Sequence, residues 1–101
     1  MHRTLELSDS ARRALNALSL EDQADFDRIS AMFEYFLERL VETGYARRAT
    51  RYGCDGYDYW DGRFPCQMFV QLKVDEQTET EHLRVLTMSR SEPDQPTQAR
   101  V

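Results

Sequence analysis

The chain has 101 residues, 41% of them hydrophobic and 31% charged, with a formal net charge of −5. That length suits one core and leaves no room for a separate substrate domain, and the composition is that of a folded protein rather than a disordered one. The negative balance weighs against a protein whose main task is to grip nucleic acid by its phosphates, although a local basic patch would still act through its own field.

No apolar run approaches the roughly 18 residues that cross a bilayer. The opening Met1-His2-Arg3-Thr4-Leu5-Glu6 lacks the apolar stretch of a secretory leader. A cytoplasmic protein is therefore expected, with no membrane partner and with Cys54 and Cys66 as reduced thiols. Neither cysteine belongs to a CxxC pair, and His2 and His82 share no ligand spacing with them. No metal and no cofactor is expected.

Taken in chain order, Arg3–Leu7 alternates in character and predicts a short strand. Ser8 is a good N-cap, because its hydroxyl can accept from a free backbone N–H of a first helical turn. Ala11, Ala14, Leu15 and Leu18 then fall on one helical stripe. Ser19 caps a second helix, with Asp22 completing a weaker capping box. Phe26, Ile29, Phe33, Phe36 or Leu37, and Leu40 recur at steps of three and four, so this helix is placed near 20–43, closed by Gly44. Residues 45–52 turn basic and aromatic, and Gly53-Cys54-Asp55-Gly56 reads as a turn. Tyr57-Asp58-Tyr59-Trp60 predicts a short strand, and Asp61-Gly62 is the strongest hairpin signal. Cys66–Val74 alternates as a longer strand with Met68, Val70, Leu72 and Val74 on one face. His82–Met88 is the last strand, with Leu83, Val85 and Thr87 on one side and Arg84, Leu86 and Met88 on the other. From Ser89 apolar content vanishes, and Pro93 and Pro96 discourage regular structure.

The expected fold class is α+β: an N-terminal strand and an αα-hairpin packed on a small antiparallel sheet, in the order β-α-α-β-β-β. One domain is expected over 1–90 and a flexible tail over 91–101.

Arg47, Arg48 and Arg51, bracketed by Tyr45 and Tyr52, form the densest positive patch. Guanidinium forks suit phosphate and aromatic rings stack on bases. The plainer reading is a solvated loop whose arginines pair with the acidic second helix. Asp55, Asp58 and Asp61 recur every third residue, but the spacing fits no cation loop, and turn aspartates explain them better. Tyr57 and Tyr59 share one strand face and Trp60 the other, so one set is expected in the core and the other at a recognition surface. Arg63, Arg84 and Arg90 come from the sheet half. If they converge, they could bind phosphate and stabilise charge in a cleavage reaction; otherwise they serve solubility. No Ser/His/Asp arrangement and no glycine-rich phosphate loop is present.

Leu5-Glu6-Leu7-Ser8-Asp9-Ser10-Ala11 resembles the opening strand and capped first helix of the RelE/ParE superfamily of bacterial toxin–antitoxin modules. Phe69–Val74, a polar turn, then Leu83–Arg90 resemble its last two strands. The resemblance implies a growth-inhibiting toxin that acts on a large target: ribosome-bound mRNA, cleaved without metal, or DNA gyrase, inhibited by binding. It also implies an antitoxin partner. On this resemblance Arg63 and Arg90 are the candidate catalytic residues. Arg47, Arg48, Arg51, Tyr52, Tyr57, Tyr59, Trp60 and Arg84 are the candidate binding residues. A homodimer is a further expectation. The cleaving branch favours Lys or Arg where this chain has Tyr57-Asp58-Tyr59-Trp60, and a His or Tyr where it has Ser91-Glu92-Pro93. The alternative expectation is therefore a small non-catalytic protein-binding inhibitor or adaptor that uses the acidic helix and the aromatic sheet face.

Overall fold

The computed structural model describes residues 2–90, so the tail expected over 91–101 lies outside the described residues. The elements are β1 (His2–Leu7), α1 (Asp9–Asn16), α2 (Leu20–Glu42), β2 (Ala46–Arg51), β3 (Cys54–Tyr59), β4 (Cys66–Asp75) and β5 (Thr80–Arg90). The strands form one sheet in the order β1-β5-β4-β3-β2. The α+β class stands, with one change of detail. β1 runs parallel to β5 while the other neighbours are antiparallel, so the sheet is mixed. The helices supply the crossover that a parallel pair requires.

The helix caps follow from side-chain chemistry. Ser8 Oγ accepts from the Ala11 N–H at 3.0 Å and donates to the Leu86 carbonyl at 2.9 Å, tying the start of α1 to β5. Ser19 Oγ accepts from the Asp22 N–H at 3.1 Å. Gly44 follows the α2 cap at φ +86°, a left-handed position that glycine takes without a Cβ penalty. The α2 stripe of Phe26, Ile29, Phe33, Leu37 and Leu40 is buried. At Phe36 the helix breaks (φ −136°, ψ 30°), and Tyr35 and Phe36 stand exposed side by side.

The core lies between the helices and one sheet face. α2 crosses β1 and β2, and α1 lies on β5 and β1. The helix stripe meets Tyr57, Tyr59, Met68, Val70, Leu83, Val85 and Met88. Phe33 meets the edge of Tyr59 at 5.3 Å between ring centres, and Phe26 meets Phe64 at 6.2 Å.

Three local expectations are corrected. The basic stretch is a strand, β2, and its hairpin turns at Tyr52-Gly53, both at positive φ (56° and 72°), so Cys54–Gly56 belong to β3. Asp61-Gly62 is no two-residue hairpin, because β3 ends at Tyr59 and β4 starts at Cys66. Asp61 is instead buried and accepts from the Arg63 N–H at 2.8 Å. Finally, the register shifts at Phe69/Val70, which pair with Thr87 and Val85 and leave Leu86 without a partner. This bulge reverses the side-chain alternation after Leu86. Met88 therefore joins Leu83 and Val85 in the core, and Thr87 pairs with Phe69 away from it.

Candidate functional site

The face of the sheet away from the helices carries a row set by strand register. Arg47 pairs with Asp58, Asp58 with Phe69, and Phe69 with Thr87, across β2, β3, β4 and β5. Phe69 is buried, yet stands apart from the main core. Its ring lies over Gly56, where a Cβ would collide with the Phe69 ring and the Val70 carbonyl. Tyr52 meets its edge at 6.0 Å. Glycine in mid-strand here marks a close approach of ring to backbone.

Phe69 forms the floor of an open groove of about 530 Å³. Arg47, Arg51 and Asp58 line it, with Tyr45 and Trp60 from the strand ends, Tyr52 from the hairpin turn, and Gln67, Thr87 and Ser89 from β4 and β5. The Trp60 N–H donates to the Tyr45 carbonyl at 3.4 Å, which joins the two aromatic residues through the backbone. Trp60 and Tyr45 are half exposed and Tyr52 more so. The groove thus offers ring faces, amide and hydroxyl groups, and guanidinium.

Arg51 grips Asp58 with both arms of its fork, Nε to Oδ1 at 2.7 Å and Nη2 to Oδ2 at 2.6 Å. The side chains are 54% and 36% exposed, so the pair faces water. This hydrogen bonding with Asp58 raises the Arg51 pKa. Arg47 is exposed and, among the described residues, forms no ion pair.

The other candidates are spread out. Arg48 lies on the opposite side of β2, with its guanidinium 5.3 Å from the Tyr57 ring centre and Nη1 3.2 Å from the phenol oxygen. Tyr57 and Tyr59 are buried in the core, though Tyr59 also borders the groove. Arg84 reaches across to Glu6 at 3.7 Å. Arg63 is exposed beside Asp61 at 3.8 Å, and Arg90 ends β5 at the surface; neither lines the groove. None of these arginines pairs with an α2 carboxylate among the described residues. The arginines that do are Arg3, on Glu38 as well as Glu81, and Arg28, on Asp25.

The three spaced aspartates also part company: Asp55 bonds Thr50, Asp58 bonds Arg51, and Asp61 bonds Arg28 and Tyr59. Among the described residues no group of His, Cys, Asp and Glu is placed to hold a metal ion. Burial pushes the Tyr59 phenol up, with the Asp61 carboxylate beside it adding to the effect. For Asp61 burial works the other way from its partners. The Arg63 N–H, Arg28 and the Tyr59 hydroxyl outweigh it together and hold the carboxyl below its ordinary value. Burial raises the Cys66 thiol, while Cys54 Sγ accepts from Gln71 on the groove side of β3.

Sequence reasoning missed Phe69, Thr87 and Gln67 as groove residues and weighed Asp58 only as one of three spaced aspartates. The signal for Phe69 was a large ring out of phase in an otherwise alternating strand.

No protein-family model and no curated protein matches the sequence. Solved structures do. The archaeal RelE–RelB complex of Pyrococcus horikoshii OT3 contains a chain similar over 89% of this one and 96% of its own length, at a TM-score of 0.63 and 15% identity. The toxin–antitoxin complex RelBE2 of Mycobacterium tuberculosis contains one similar over 90% and 100%, at 0.55 and 14%. The class the fold defines is therefore the RelE fold, matched over 89–90% of this chain.

Proposed function

We propose that this chain is a RelE-fold toxin that inhibits a large cellular target and is silenced by an antitoxin. Its working surface is the helix-free groove, and its target class is single-stranded RNA, as on a ribosome, rather than gyrase. The observation that carries this reading is the row Arg47–Asp58–Phe69–Thr87, flanked by Tyr45, Tyr52 and Trp60. Aromatic platforms beside guanidinium suit unpaired bases on a phosphate backbone. The antitoxin assignment rests on the likeness to chains solved within toxin–antitoxin complexes.

Binding, rather than cleavage, is the proposed main activity. A general base must reach the proton it takes; Asp58, the one carboxylate lining the groove among the described residues, is held by both arms of Arg51, and the exposed Tyr45 and Tyr52 are read as stacking platforms. Arg63 and Arg90 remain the proposed pair for any cleavage, approaching an RNA that extends beyond the groove.

The test is growth of a bacterial host under inducible expression. Wild type should arrest growth and Arg47→Ala/Trp60→Ala should not. Arg63→Ala/Arg90→Ala should still arrest it if binding suffices, and should lose toxicity if cleavage is the activity. Growth unaffected by wild type would remove the toxin reading. A second reading is then favoured by the exposed Tyr35 and Phe36 at the break in acidic α2: a non-catalytic protein-binding inhibitor that docks through this helix.

A further inference from the structure

We propose that Asp58 is an internal counter-ion that sets how strongly the groove takes a phosphate backbone, by occupying the fork of Arg51 that phosphate would otherwise fill. This inference rests on the groove's being the RNA-binding surface.

A guanidinium offers a planar pair of donors to carboxylate or phosphate, and bidentate pairing uses both at once. Here Nε and Nη2 of Arg51 both point at Asp58, at 2.7 and 2.6 Å. Asp58 is also the register partner of Arg47 on the same face. It therefore stands beside Arg47 and in the fork of Arg51, and leaves the groove, with its two arginines and one carboxylate, one net positive charge. A phosphate entering from solvent meets a guanidinium whose Nε–Nη2 edge is already filled, and must displace the carboxylate to take that edge. Because the pair is exposed to water rather than sealed in the core, that exchange needs no unfolding of the strand. Stacking on Trp60, Tyr45 and Tyr52 is untouched by it. The groove is thus built to favour bases over phosphates, so that a rigid duplex, which offers phosphates and hides its bases, is a poor ligand. Asp58 is a specificity-determining residue, and its effect must run through Arg51.

The experiment is fluorescence anisotropy of a short labelled single-stranded oligoribonucleotide, titrated with wild type, Asp58→Asn, Arg51→Ala and Asp58→Asn/Arg51→Ala over a range of salt. A duplex of the same sequence is run alongside, and folding is checked by circular dichroism. Asn matches the shape of Asp, which isolates the charge. Asp58→Asn should bind the single strand roughly tenfold tighter at low salt, with a salt dependence steeper by about one released counterion. It should gain still more on the duplex, and adding Arg51→Ala should cancel the gain. If wild type binds and Asp58→Asn binds equally, the counter-ion role is overturned while the groove reading stands. A gain that survives Arg51→Ala overturns it too, by removing Arg51 as the route. If neither wild type nor Asp58→Asn binds RNA, both readings fall together.

Discussion

Two arginine–aspartate pairs lie close together at the end of β3 and differ in what surrounds them. Asp58 stands on the open sheet face, half wet, gripped by Arg51 seven residues before it. Asp61, three residues on, is buried under α2. It takes hydrogen bonds from Arg28 at 3.3 Å, the Tyr59 hydroxyl at 3.2 Å and the Arg63 N–H at 2.8 Å. The same chemical pair therefore pins the fold in one place and tunes a surface in the other. The difference is burial. An exposed pair exchanges partners with water at little cost, whereas removing a buried carboxylate leaves its hydrogen-bond donors unpaired.

The largest effect that separates the pairs is expected from Asp61→Ala. It strips partners from Arg28, Tyr59 and the loop at once, and should cost about 3 kcal/mol of unfolding free energy, read by urea denaturation. The acid limb should change in the same variant. Because Asp61 is held below its ordinary value in the folded state, its stabilisation is fully present above the unfolded carboxyl pKa of about 4 and is lost as pH falls through the folded value. Glu38, lowered by Arg3, works in the same direction, though it is well exposed. Melting temperature should therefore fall more steeply as pH drops below about 4 in wild type than in Asp61→Asn. Equal slopes would take the pinning role away from Asp61.

Gly56→Ala comes next and acts on the open face. An added methyl must push aside both the Val70 carbonyl and the Phe69 ring, at about 1–3 kcal/mol. It should also weaken RNA binding by lifting the groove floor. A variant as stable as wild type would mean that the β4 backbone and Phe69 both yield freely and set no shape.

What was legible in the sequence divides along the same line. The helix-facing side was readable, because a buried stripe obeys one period: Phe26, Ile29, Phe33 and Leu40 announce α2, and Ser8 and Ser19 announce its caps and those of α1. The open side was not. β2 reads Ala46-Arg47-Arg48-Ala49-Thr50-Arg51, an edge strand with charges on both faces, and periodicity says little when neither face has to be apolar. Its turn at Tyr52-Gly53 places a tyrosine at positive φ, which local preference disfavours, so the glycine and the following Asp55-Gly56 drew the turn too late. The bulge at Leu86 was invisible because it arises from pairing with β4, not from β5 itself. For the candidate site, residue types were visible and their grouping was not. Arg47, Arg51, Tyr52 and Trp60 came together only once register brought β2 against β3. The same register sent Arg48 the other way, because its odd step from Arg47 along a strand reverses its face.

The smallest expected effect is the most informative about the exposed pair. Asp58→Asn should leave unfolding free energy within about 0.5 kcal/mol of wild type, since a wet ion pair contributes little even with good geometry. The same substitution is expected to change RNA affinity roughly tenfold. Stability and binding would then be uncoupled at Asp58 and coupled at Asp61, where loss of the pin should disturb both. Chemical denaturation of Asp58→Asn beside Asp61→Ala reads the comparison directly. A loss of about 2 kcal/mol or more at Asp58 would mean that Arg51 and Asp58 hold β2 on β3. The carboxylate would then be part of the scaffold, and the chain would have no exposed counter-ion free to yield to a phosphate.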